Sequence, residues 1–160
     1  CTPSFFASFS MVLVKGPRDY VYNVNLPLQF KLGADGIIRY SNFSVMALYF
    51  GKENLYIYTC IFNMRSGISK YQHTYECPYR EIQFVRFEDR ILKEVNQKNK
   101  EVEQNLQFFV INSGSGEHDE LAIPVQDYDT MKRLNGKFDI SDAELANEIL
   151  NNKIKGVNGN

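Results

Sequence analysis

Residues 53–67 read ENLYIYTCIFNMRSG, an apolar and aromatic run that ends in a polar turn. Successive side chains of an extended chain point to opposite faces. Leu55, Ile57, Thr59 and Ile61 therefore share one face, and Tyr56, Tyr58, Cys60 and Phe62 share the other. Both faces are apolar, so the spacing predicts a central strand covered on both sides. A hairpin turn, Gly51-Lys52-Glu53-Asn54, delivers this strand, and the loop Asn63 to Tyr71 leaves it.

Upstream, Ile37 to Tyr40 and Ser44 to Phe50 read as extended pieces, preceded by a turn at Gly33-Ala34-Asp35-Gly36. Earlier still, Tyr20, Tyr22, Val24 and Leu26 fall on one face of an extended chain, and Pro27 confines that piece to an edge or a bend. Downstream, Gln72 to Cys77 and the alternating Glu81 to Glu88 are further strands. Asp89 to Gln104 is open to two readings, a weak helical stripe or a long hairpin tipped by NQKNK. An exposed excursion between strands is the preferred one. Asn105 to Asn112 and Asp119 to Val125 form a last hairpin around Ser113-Gly114-Ser115-Gly116-Glu117. A helix capped by Asp127 follows, with Tyr128, Met131 and Leu134 inward and Gly136 as its stop. A second helix opens on Ser141, with Glu144 placed for a capping box and Leu145, Ile149 and Leu150 as its apolar stripe.

The composition suits one ordinary globular domain: 160 residues, 44% hydrophobic and 23% charged. The 12 Phe and 10 Tyr favour pleated sheet. Net charge is −1, but residues 1–100 carry +5 and residues 101–160 carry −6, an acidic C-terminal part suited either to plain solvation or to docking a basic partner. No dense Lys/Arg stripe is present, which argues against a nucleic-acid partner. Cys1, Cys60 and Cys77 have no zinc-like spacing with His73 or His118; reduced thiols are expected, with a Cys60–Cys77 bridge as the alternative if their strands adjoin. The run SFFASFSMVLV, Ser4 to Val14, is shorter than the roughly 20 residues a membrane helix needs. It reads as a buried first element or the end of a membrane segment in a longer parent chain.

Little in the sequence supports catalysis. A nucleophile needs a base within reach, and the only histidines, His73 in a strand and His118 beside a turn, read as surface groups. Glu117, Asp119 and Glu120 near His118 read as solvated carboxylates rather than a metal site, and SGSGE lacks the Lys-Ser/Thr of a phosphate loop. No cofactor is expected.

Four stretches together resemble a bacterial pleckstrin-homology-like (PH-like) domain. They are ENLYIYTCIFN, YECPYREIQFVRF with Pro78 and Ile82, the hairpin LQFFVIN–ELAIPV, and QDYDTMKRLNG. The resemblance covers Phe50 to Leu134. It implies a mainly β (α+β) fold: a barrel of two roughly orthogonal antiparallel sheets closed by the helix at 127–135, with an extra terminal helix. It implies a division into 1–40 as an N-terminal extension, 41–136 as the PH-like domain and 137–160 as a helix and tail. Lipid-binding members of the wider fold hold anions with a basic loop. The nearest counterpart is NMRSGISK, and the candidate binding residues are Lys52, Met64, Arg65, Lys70 and Arg80. The expected role is a non-enzymatic interaction domain on the cytoplasmic side, at the inner face of a membrane in one version. It would bind a protein partner, its own copies or, weakly, an anionic membrane surface. The alternatives are a hollow-barrel carrier of a lipid or small apolar ligand, and an enzyme.

Overall fold

The computed structural model describes residues 11–18, 28–95, 98–114 and 119–158. The alternation over Tyr20–Leu26, Pro27, the first ten residues, residues 115–117 of the expected turn and His118 lie outside the described residues. In chain order the elements are β1 (Met11–Pro17), β2 (Phe30–Leu32), β3 (Ile38–Tyr40), β4 (Asn42–Phe50), β5 (Asn54–Asn63) and β6 (Ser69–Pro78). They continue with a 3-10 turn at Tyr79–Glu81, β7 (Phe84–Val95), β8 (Glu101–Asn112), β9 (Glu120–Asp127), α1 (Tyr128–Leu134) and α2 (Ser141–Asn158). The protein is mainly β. One antiparallel sheet runs β1-β4-β5-β6, a second runs β7-β8-β9, and β2-β3 is a small hairpin.

β5 is the centre of the first sheet, with β4 and β6 on either side. Its two faces are not equally covered. Leu55 and Ile57 are buried in the core, whereas on the outer face Tyr56 is 42% exposed, Tyr58 and Phe62 are half-buried and only Cys60 is buried. The two-sided burial expected from the sequence therefore holds at Cys60 and fails at Tyr56. Tyrosine can leave its hydroxyl wet while its ring covers neighbours, so an aromatic outer face needs no second layer. Asp89–Gln104 resolves as the long hairpin: β7 and β8 pair from Phe84↔Asn112 out to Val95↔Glu101. Cys60 and Cys77 are free. Their strands do adjoin, but Cys77 stands opposite Leu55. That leaves the thiols about five residues, roughly 16 Å, apart along the sheet, beyond the reach of a disulfide.

β1 is paired with β4 along its whole length, Met11↔Tyr49 to Pro17↔Phe43. Its inward residues Val12 and Val14 join Met46, Leu48, Leu55, Ile57, Phe109 and Ile111 in one core. The same core takes Ala143, Ala146, Leu150 and Ile154 from α2. Strand 11–17 and helix 141–158 thus share their packing with the segment 41–136 between them.

Two expectations about closure are overturned. The helix that enters the core is α2, not the one at 127–135. α1 has seven residues and buries only Thr130, while Asp127 caps it by accepting from the Thr130 N–H at 3.1 Å. Of the stripe expected on α2, Leu150 is fully buried and Ile149 packs against the core, but Leu145 is 37% exposed; Ile154 and the alanines Ala143 and Ala146 complete the inward face. Small side chains let a helix approach a sheet closely, and this is why a reading weighted to large apolar residues missed them. Nor does the barrel close: among the described residues no ladder joins the two sheets. Where β1 passes β9, the Pro124 carbonyl is aimed at Gly16. A residue in an antiparallel strand points its N–H and C=O the same way, so the group facing β1 beside that carbonyl would be the N–H that proline lacks.

Candidate functional site

The loop between β5 and β6 is built on a buried side chain. Asn63, 1% exposed, ends β5 directly opposite Asn42, 0% exposed, and its amide donates to the Asn42 side-chain oxygen. The Asn63 Oδ1 then accepts from the backbone N–H of Arg65 and of Ser66, both at 2.9 Å. The main chain closes the turn three more times: Gly67 N–H to the Asn63 carbonyl, Asn63 N–H to the Ile68 carbonyl, and Met64 N–H to the Ser41 carbonyl. Gly67 sits at φ +70°, where glycine carries no side-chain penalty. A polar amide on the inner face of a strand is costly unless satisfied, and here that satisfaction shapes the loop.

The built loop turns apolar groups outward. Met64 is 61% exposed, Ile68 46% and Tyr71 49%. Tyr71 has φ +55° and lies where the β5–β6 register shifts between Thr59 and Ile61. The bulge gives β6 an extra residue and turns the strand there. Arg65 is exposed beside Met64, and Lys70 is half-buried at the start of β6. Arg18, which the sequence reading did not single out, joins this end through its N–H to the Asn42 carbonyl at 3.1 Å. Its signal was its position just after a proline at a strand end, too common a feature to stand out.

The five predicted binding residues do not form one site. Met64, Arg65 and Lys70 share the loop end. Lys52 and Arg80 lie at the opposite end of the sheet, where Asn54 pairs with Pro78. The ten residues of β5 separate the two groups, a distance of about 30 Å. Tyr79, beside Arg80, is a core residue there: it is 1% exposed and its hydroxyl donates to the Gly51 carbonyl at 2.8 Å. Burial, with the nearby Tyr56 as a lesser cause, pushes its pKa up to about 12.

His73 lies exposed on edge strand β6 with its ring 6.3 Å from that of Tyr75, and no carboxylate or thiol hydrogen bond reaches it among the described residues. His118 is outside the described residues. No group of three His, Cys, Asp or Glu that could hold a metal ion occurs among the described residues, and no helix of theirs is long and apolar enough to cross a membrane. Comparison of the chain with protein-family models, with curated proteins and with solved structures finds no match.

Removing the Asn63 amide tests the loop's construction. Asn63→Ala leaves the Arg65 and Ser66 N–H groups without their acceptor and removes the amide that donates to Asn42, at a cost of about 2 kcal/mol. The expected result is a lower Tm together with fast amide exchange at residues 64–68, while exchange in β8 stays slow. Slow exchange retained throughout the loop contradicts this account of it.

Proposed function

We propose that this chain is a non-enzymatic interaction module of PH-like fold that binds a protein partner through the loop end formed by Met64, Arg65, Ile68 and Tyr71. The observation that carries the reading is the pre-formed loop, which holds three large apolar side chains in water. A rigid loop pays little ordering entropy on binding, and exposed methionine and tyrosine around one arginine are the composition of a protein contact rather than of a solvated turn. The architecture is in keeping with the fold assignment: a four-stranded antiparallel sheet in the order β1-β4-β5-β6, a three-stranded meander and a helix packed between them. The filled interior, with Met46, Leu48, Leu55, Phe109 and Leu150 all fully buried, weighs against a carried lipid.

One observation favours a second reading, contact with an anionic membrane. Arg18, Arg65 and Lys70 lie at the same end of the sheet, and each cation near such a surface contributes about 1 kcal/mol. Co-sedimentation with neutral and anionic vesicles, at low and physiological salt, separates the two readings. A protein-binding loop leaves the chain in the supernatant at physiological salt. Sedimentation with anionic vesicles that salt weakens, and that Arg65→Ala with Lys70→Ala abolishes, replaces the protein by a membrane.

A further inference from the structure

The geometry points to a second docking place: a groove between the free edge of β7 and the first half of α2 that takes an extended, basic and apolar polypeptide segment as an added strand. β7 is the edge of its sheet, in the order β7-β8-β9. The Asn151 amide of α2 donates to the Val85 carbonyl at 3.3 Å. That carbonyl therefore points away from β8 and towards the helix. Alternate residues of an antiparallel strand direct both backbone groups to the same side, so Phe87, Asp89 and Ile91 present their N–H and C=O groups outward as well. Asn151 occupies the first of these outward positions, and among the described residues no backbone or side chain occupies the next ones.

A groove opens beside them, lined by Phe87, Ser141, Glu144, Leu145, Asn147 and Glu148. Its apolar surface comes from the half-buried Phe87 ring and from Leu145, the α2 leucine left 37% exposed. Its rim is acidic. Glu144 and Glu148 lie one helical turn apart, Asp142 precedes them, and Asp89 is on the same side of β7 as Phe87. Asp89 also accepts from the Tyr128 hydroxyl at 2.5 Å, which ties α1 to that strand. The cations nearby do not offset this rim. Arg86 and Arg90 are on the opposite face of β7, both bonded to Glu88, and Arg90 also to Glu120. Lys153 lies further along α2, 5.5 Å from the Tyr79 ring.

An added strand would satisfy the outward groups of Phe87 and Asp89, seat an apolar side chain between Phe87 and Leu145, and place lysine or arginine against Glu144 and Glu148. Strand addition gives affinity through the main chain and selectivity through alternate side chains. The acidic charge of residues 101–160, without a role in the loop-end site, has one here.

Selection from a displayed library of random twelve-residue peptides tests this. The bait is the whole chain, counter-selected against its Glu144→Lys, Glu148→Lys variant. The expected winners alternate basic and apolar residues. A synthetic winner should protect the Phe87 and Asp89 amides from hydrogen exchange. It should bind about tenfold more weakly to the charge-reversed variant, and about tenfold more weakly when alternate peptide N–H groups are methylated. Glu144→Gln with Glu148→Gln, which keeps the shape of the rim, should weaken binding less than the lysine pair. No enrichment, winners without basic residues, protection elsewhere on the molecule, or indifference to N-methylation each overturns the proposal.

Discussion

Gly16→Ala should cost about 3 kcal/mol, with a fall in Tm of roughly 10 °C, though it adds only one methyl group. A Cβ at this position overlaps the Pro124 carbonyl and comes within 2.9 Å of the Val125 Cα. Both are backbone, so no flexible side chain can swing away. β1 and β9 would have to part at this close approach, and Val12, Val14, Ile123 and Val125 from the same two strands belong to the core. Gly156→Ala is the matched control. Nothing lies within 4 Å of its new Cβ, and the residue is in α2, so alanine there should stabilise by about 0.5 kcal/mol through helix propensity. Opposite signs from the same chemical change, read by thermal or urea unfolding, are the expected result. Equal small effects would mean that the crossing is looser than described.

Leu150→Ala carries the second large effect. Leu150 is 0% exposed in the core cluster, and truncation of such a leucine costs about 3 kcal/mol. Leu145→Ala, on the outer side of the same helix at 37% exposure, should cost well under 1 kcal/mol. Leu134→Ala in α1, a half-buried position, should fall between the two. This ranking separates the two helices as closers of the fold. If Leu134→Ala proved the most damaging of the three, the sequence assignment of the closing helix to 127–135 would be restored.

Much of the β architecture was legible because period-two alternation and turn chemistry are local. The run 53–67 identified β5, and Gly51-Lys52-Glu53-Asn54 identified the turn before it. Asp127 as the cap of α1 was read from one residue type in one context, and the structure has it accepting from Thr130. What escaped was set by contacts distant in sequence. The identity of the closing helix depends on Ala143 and Ala146, whose small size matters only once β1 and the 3-10 turn lie beside them. The close approach of Pro124 to Gly16, more than a hundred residues earlier, is likewise invisible in local sequence. The candidate site was legible in part for the same reason. Met64, Arg65 and Lys70 are close in sequence and stay together. Lys52 and Arg80 were grouped with them by charge, and a strand's length removes them. Asn63 gave no signal because a strand-end asparagine is ordinary until its partner, Asn42, is known to face it.

Photo-crosslinking from single positions tests the central claim most directly. A photoreactive residue is placed in turn at 64, at 68 and, as a far-end control, at 52, and the chain is exposed to an extract of the cells that make it. The account predicts one shared protein adduct at 64 and 68, absent at 52 and lost when Tyr71→Ser with Arg65→Ala is added. An adduct formed equally well at 52, or no protein adduct at 64 and 68 alongside salt-sensitive sedimentation with anionic vesicles, would contradict it.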